Sequence, residues 1–180
     1  MSEPFDLPSS LPRLTLILGG ARSGKSRHAE ALIEASRLTP YYIATAQALD
    51  GEMQLRIDQH RARRGERWRT IEEPLALTKT LHAVTADGRA LLVDCLTLWL
   101  TNLMVHERPV EAEIDGLVDS LDALHGSTLF VSNEVGLGVM PTNAMARAFI
   151  DHAGHLHQRL AAKADRVLLM TAGLPQQLKP

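Results

Sequence analysis

The stretch that most restricts this chain is LTLILGGARSGKS, residues 14–26. Leu14–Leu18 is a short apolar run broken off by glycines, the pattern of a strand covered on both faces. Directly after it, Gly19-x4-Gly24-Lys25-Ser26 matches the phosphate-loop spacing, and good helix formers follow in SRHAEALIEASR. The physics behind the spacing is simple. Glycines let successive backbone N–H groups converge on phosphate oxygens, and a helix N-terminus adds a field that favours anions. Lys25 is expected to reach the β- and γ-phosphates and Ser26 to ligate Mg2+. The whole loop, Gly19, Gly20, Ala21, Arg22, Ser23, Gly24, Lys25 and Ser26, is therefore the expected nucleotide phosphate site. A glycine turn with a chance Lys-Ser would be the bland alternative; the strand before it and the helix after it argue against that.

The remaining elements follow the same grammar. Further strands are expected at Tyr41–Ala44, Ala90–Asp94, Leu129–Ser132 and Val167–Met170, with a short extended piece at Trp68–Ile71. Helices are expected over 51–64, from Pro74 through Ala83, around 96–106 and 110–124, and over 142–163. Apolar strands alternating with helices predict one α/β domain with a mostly parallel sheet over residues 14–180, preceded by a disordered leader at 1–13. In such sheets ligands gather at the carboxyl ends of strands. That turns attention to Thr45, Asp94, Asn133–Glu134 and Thr171. Asp94, closing an apolar strand, is the natural Walker-B partner for a Mg2+ held by Ser26. Taken alone, an Asp ending a strand is often only a helix cap.

Composition narrows the field further. Net charge is −2, which gives no global attraction for nucleic acid. The single cysteine, Cys95, excludes an internal disulfide and fits a reducing compartment. MSEPFDLPSSLP has neither the basic nor the apolar region of a signal peptide, and the best apolar run, ALLVDCLTLWL, is interrupted by Asp94. The expected location is the cytoplasm.

RIDQHRARRGERWR raises a separate question, because it sets His60 among arginines. On a helix, Arg56, His60 and Arg64 share a face, with Glu52 one turn earlier and Arg63 nearby. Three readings are open on the residues alone. The face is solvated and the histidine incidental; or the arginines bind nucleic acid, although Trp68 is the lone aromatic near them. In the third, neighbouring cations keep the imidazole neutral near pH 7, and it attacks a phosphorus to form a phosphoramidate. The same arginines would then hold triphosphate oxygens.

Taken together, GGARSGKSRHAE, YYIATAQALDGEMQLRIDQHR, WRTIEEP, LLVDCLTLWLTNL, SNEVGLGVMP and HQRLAAKADRVLLMTAGLP resemble one family. It is the bifunctional adenosylcobinamide kinase / adenosylcobinamide-phosphate guanylyltransferase of coenzyme B12 biosynthesis. The likeness runs from residue 18 to about 175. It implies a single RecA-like P-loop domain that phosphorylates adenosylcobinamide and then transfers GMP from GTP to adenosylcobinamide phosphate. GMP passes through a histidine phosphoramidate, and His60 matches that role. Lys25 would serve catalysis in the kinase step. The resemblance also implies nucleotide contacts at Ala44, Thr45 and Ala46, at Arg61, Ala62, Arg63 and Arg64, at Glu72 and at Asp94. The carboxylate at Glu72 suits guanine, whose N1–H and 2-amino group are donors that adenine does not pair in that way. GTP and ATP are the implied nucleotides, Mg2+ the implied metal, and a trimer the implied assembly.

Other residues take lesser parts. Asn133–Glu134 would sit where a contact to phosphate or water could form. His157 stands where the family pattern more usually has asparagine, which affects a local contact. His28, His152 and His155 are read as structural or surface residues, and no Cys/His cluster has zinc-ligand spacing. Because one phosphate loop must serve two reactions, helix 51–64 is expected to move about Gly51 to bring His60 in line with the α-phosphate. Two other functions remain possible on the residues: a plain small-molecule kinase, and a RecA-like nucleic-acid-binding ATPase.

Overall fold

The computed structural model describes residues 10–47 and 65–180. Its centre is a seven-stranded sheet in the order β3-β2-β4-β5-β1-β6-β7. The strands are β1 (Leu14–Gly19), β2 (Thr39–Ala44), β3 (Arg69–Glu72), β4 (Arg89–Asp94), β5 (Ser127–Asn133), β6 (Arg166–Thr171) and β7 (Leu174–Lys179). All neighbours are parallel except β6 and β7, which form an antiparallel hairpin. The described helices are α1 (Lys25–Ala35), α2 (Leu77–Val84), α3 (Leu96–Val105), α4 (Val110–Ser120) and α5 (Ala144–Lys163).

Strand alternation sorts the core into two layers. Leu14, Leu16 and Leu18 of β1 face a large cluster built with α2, α3, α4 and α5, where Trp99, Leu103, Leu117 and Leu156 are buried. Ile17 faces the other side, where Ala29, Leu32 and Ile33 of α1 pack with Tyr42, Leu92, Leu129 and Met170. A strand buried on both faces is nearly all apolar, and β1, buried from end to end, carries a single polar side chain, Thr15. Among the described residues no helix is long and apolar enough to cross a membrane.

Most expected elements form, with shifted ends. The helix read from Pro74 starts at Leu77, because the Glu73 carboxylate accepts from the N–H groups of Leu75 and Ala76 and from the Thr80 hydroxyl. The helix read as 142–163 starts at Ala144, where Asn143 caps the N–H of Ala146 at 3.0 Å. The run 110–124 breaks at Ser120 into a short 3-10 turn, Leu121–Ala123. Strand β7 was not expected. Of the leader read at 1–13, residues 1–9 lie outside the described residues. Leu11 accepts from the Ser127 hydroxyl, and the Arg13 guanidinium donates to the Leu121 carbonyl.

The connections decide where the site lies. From β1 the chain crosses by α1 to β2 on one side of the sheet; from β5 it crosses by α5 to β6 on the other. The loops after β1 and β5 therefore diverge, although Gly19 and Asn133 are register partners. That divergence opens a crevice at the carboxyl edge.

Candidate active site

The phosphate loop occupies this crevice. Gly19 ends β1 at φ 151°, and a Cβ there would lie 2.5 Å from the Met170 carbonyl oxygen, so no side chain fits. Gly24 at φ 97° turns the loop into α1, a left-handed conformation that suits glycine. The hairpin between β6 and β7 presses on the loop: the Gly173 N–H donates to the Ser23 carbonyl at 3.0 Å. A Cβ on Gly24 would meet Gly173 Cα at 3.3 Å. Lys25 is buried, and its ammonium donates to the loop's own Gly20 carbonyl at 2.6 Å. Burial lowers its pKa from the usual ammonium range, while the nearby acidic groups of Cys95 and Asp94 oppose that shift. Gly20, Ala21 and Arg22 are exposed; Ser23, Gly24 and Ser26 are half-buried at the mouth of the loop.

Asp94 ends β4, with a half-buried carboxylate. The Tyr42 hydroxyl donates to its Oδ2 at 3.1 Å. Tyr42 is itself held edge-on against Trp68, with ring centroids 6.4 Å apart. Sequence reasoning missed this partner. A tyrosine on a strand buried on both faces must find an acceptor for its hydroxyl, and that was the available signal. The site's fit to Mg2+ rests on its donor chemistry. Ser26 offers a hydroxyl and Asp94 a carboxylate, oxygen ligands that suit a hard cation otherwise held by phosphate oxygens and water. Among the described residues no group of three or more His, Cys, Asp or Glu is arranged to hold a metal alone.

The turn after β2 is knotted to the turn after β4. Thr45 is fully buried; its hydroxyl donates to the Cys95 carbonyl at 2.7 Å and accepts from the Cys95 N–H at 2.8 Å. Its own carbonyl accepts from the Asn102 amide at 2.7 Å. The Thr45 side chain thus braces the site from below, and Ala46 is half-buried beside it. Cys95 is a buried free thiol whose pKa burial pushes up to about 11, which makes it inert.

Adjacent acids at the end of β3 divide their work. Glu73 caps α2 as described above, whereas Glu72 is exposed. Register aligns Glu72 with Ala44, and Ala44 with Asp94, so three neighbouring strand ends lie in one row. Strand β3 lies four strand spacings from β1, roughly 19 Å across the sheet.

On the other side of the crevice, the Asn133 amide donates to the Thr97 hydroxyl at 3.0 Å, and Thr97 contacts the Cys95 thiol at 3.2 Å. The Glu134 N–H donates to the Gly19 carbonyl at 2.9 Å, and its carboxylate accepts from Gly136 N–H. His157 is buried on α5 with Nε2 2.7 Å from the Ser132 hydroxyl. Burial holds its pKa below the usual imidazole value, with the Glu134 carboxylate pulling the other way. Its contact is therefore to the end of β5. His152 pairs with Glu111 across α4 and α5, a surface role as read. His60, Arg61, Ala62, Arg63 and Arg64, with Arg56, Gly51 and Glu52, lie outside the described residues. So does the expected swing of helix 51–64.

Comparison with known proteins decides what this arrangement belongs to. The family profile described as cobinamide kinase / cobinamide phosphate guanyltransferase matches residues 15–178. The chain belongs to this family. It is 55% identical to the bifunctional adenosylcobalamin biosynthesis protein CobP of Pseudomonas aeruginosa, over 91% of this chain and 96% of that protein. To the bifunctional adenosylcobalamin biosynthesis protein CobU of Escherichia coli it is 40% identical, over 92% of this chain and 99% of that one. Among solved structures, the RadB recombinase superposes with a TM-score of 0.54 at 16% identity, covering 89% of this chain and 75% of that one. That likeness shows the RecA-like P-loop fold of this cobinamide kinase family member and carries no function.

Proposed function

We propose that the chain transfers the γ-phosphoryl group of a nucleoside triphosphate to the hydroxyl of adenosylcobinamide, and then joins GMP from GTP to that phosphate. The observation that carries the reading is the row of strand ends at the carboxyl edge. Glu72, Ala44 and Asp94 are in register across three strands, with the Lys25 loop at the same carboxyl edge of the sheet. A phosphate-binding end and a base-selecting carboxylate on one edge suit a nucleotide held along its whole length.

In the kinase step the loop amides and Lys25 hold the β- and γ-phosphates while the acceptor hydroxyl approaches the γ-phosphorus. Lys25 is already desolvated, so its charge acts on phosphate oxygens with little screening. Ser26 and Asp94 would hold Mg2+, which when bound offsets phosphate charge. Tyr42 keeps the Asp94 carboxylate oriented for that task.

In the guanylyl step an imidazole nitrogen of His60 attacks the α-phosphorus of GTP. The P–N bond forms, the bond to the bridging oxygen breaks, and pyrophosphate leaves. A phosphate oxygen of adenosylcobinamide phosphate then attacks the same phosphorus and releases the histidine, giving adenosylcobinamide-GDP. Arg61–Arg64 would hold phosphate oxygens beside it, and Glu72 would select guanine. With corrinoid and nucleotide substrates the protein acts without nucleic acid, in the cytoplasm, and as the trimer the resemblance implied.

The test mixes the protein with Mg2+ and GTP labelled at the α-phosphate, without acceptor, beside His60→Ala. Acid-labile, alkali-stable label on the wild-type chain alone is the expected outcome. No label, with γ-phosphate still reaching cobinamide, would leave a kinase and reduce His60 to a phosphate ligand.

A further inference from the structure

The connection from β5 to α5, residues 134–143, has a root and a tip that are built differently. The root is tied to the phosphate loop through the Glu134 N–H and the Gly19 carbonyl. Its far end is fixed by the Asn143 cap and by the Arg147 guanidinium, which donates to the carbonyls of Pro141 and Thr142 at 3.0 and 2.6 Å. Between these anchors Leu137 and Val139 are 86% and 96% exposed, and Met140 is exposed beside them. Met145, on the first turn of α5, is exposed as well. From Val135 to Ala146 the sequence carries no charge.

Ordering both ends of a loop while leaving its bulkiest apolar side chains in water has an energetic cost with no internal return. Each such side chain gains from being covered, because covering it removes apolar surface from water. The strip's root lies beside the phosphate loop, because the connection grows from the residue paired with Gly19. An uncharged apolar surface does not suit a nucleotide. It does suit a wide, flat macrocycle whose rim carries methyl groups and neutral amides. The acceptor must bring its hydroxyl to the γ-phosphorus, so its bulky ring has to rest on the crevice's rim rather than inside it.

We infer that Leu137, Val139 and Met140 form the docking surface for the corrin ring of the acceptor. Gly136 and Gly138 let the strip adapt to the ring, and Met140 adds a side chain that reshapes easily. This rests on the cobinamide reading of the preceding section.

The experiment uses the full chain and a double variant, Leu137→Ser with Val139→Ser. Both positions are exposed, so the variant is expected to fold. Equilibrium dialysis against cobinamide, read by the corrin's visible absorption, is run beside GTP binding and a solution mass measurement. The expected result is a cobinamide Kd raised at least about tenfold, with GTP affinity and subunit number unchanged. Unchanged cobinamide affinity in the double variant, with the wild type binding normally, overturns this inference and leaves the proposed function standing. A changed subunit number overturns it too, since the strip would then be covered by a second copy of the chain. Absence of cobinamide binding by the wild type itself removes both readings together.

Discussion

Two loops leave neighbouring strands at the same edge of the sheet and are built to opposite plans. The loop after β1 is closed on itself. Lys25 rests on Gly20, Ser23 is bonded to Gly173, Gly19 has no room for a side chain and Gly24 sits tight against Gly173. The loop after β5 is pinned only at its ends and turns Leu137 and Val139 outward. A triphosphate presents the same few oxygens every time, so preorganised amides serve it best. A large ring with many rotatable side chains calls for a surface that can yield. Rigidity here follows the ligand, loop by loop.

Removing the cation from the closed loop should have the largest effect. In Lys25→Ala, phosphoryl transfer to cobinamide should fall by about 10²–10³-fold or more, measured with γ-labelled nucleotide. The fold should hold, because the lost partners are one carbonyl and one hydroxyl at the loop's mouth. A variant retaining near wild-type turnover would break the comparison at its stronger end.

A matched pair of glycine variants sharpens it next. Gly19→Ala forces a Cβ against the Met170 backbone and should cost about 1–3 kcal/mol in strain, lowering Tm and nucleotide affinity together. Gly138→Ala meets nothing within 4 Å and should stay within about 0.5 kcal/mol. Equal melting shifts for the two would mean that the loops are not built differently.

The smallest effect concerns the root of the open loop. His157 has a folded pKa below its ordinary value of 6.5, so between those values the unfolded chain binds more protons than the native one. Stability is therefore flat above that window and declines as pH falls through it. His28 shifts in the same direction, so His157→Asn should remove only part of the slope. Melting curves at about pH 7.5 and about pH 5.5 would show it. An unchanged difference between the two would mean that His157 does not contribute.

The sheet was legible because strands buried on both faces carry continuous apolar runs, as Leu16–Leu18, Ala90–Val93 and Leu129–Val131 do. Strand β7 was not, since LPQQLK lies at an edge with a single partner, mostly exposed, and its residues need satisfy only one neighbour. The phosphate loop could be read because its chemistry is local in sequence. Tyr42 with Asp94, Thr45 with Cys95 and Ser132 with His157 could not, because each joins residues from 25 to 52 positions apart whose meeting depends on sheet order. Glu72 and Glu73 show the same limit at close range. They are adjacent acids in one motif, and only the direction of a strand end tells a helix cap from an open carboxylate.

The Gly173–Ser23 contact has a consequence for how the protein is made. The nucleotide loop is encoded near the start of the chain, but one of its braces is the turn between the final two strands. A nascent chain on the ribosome can lay down β1 early and still lack the wall against which the loop is shaped. Nucleotide meets the fully braced loop only once β6 and β7 have been made.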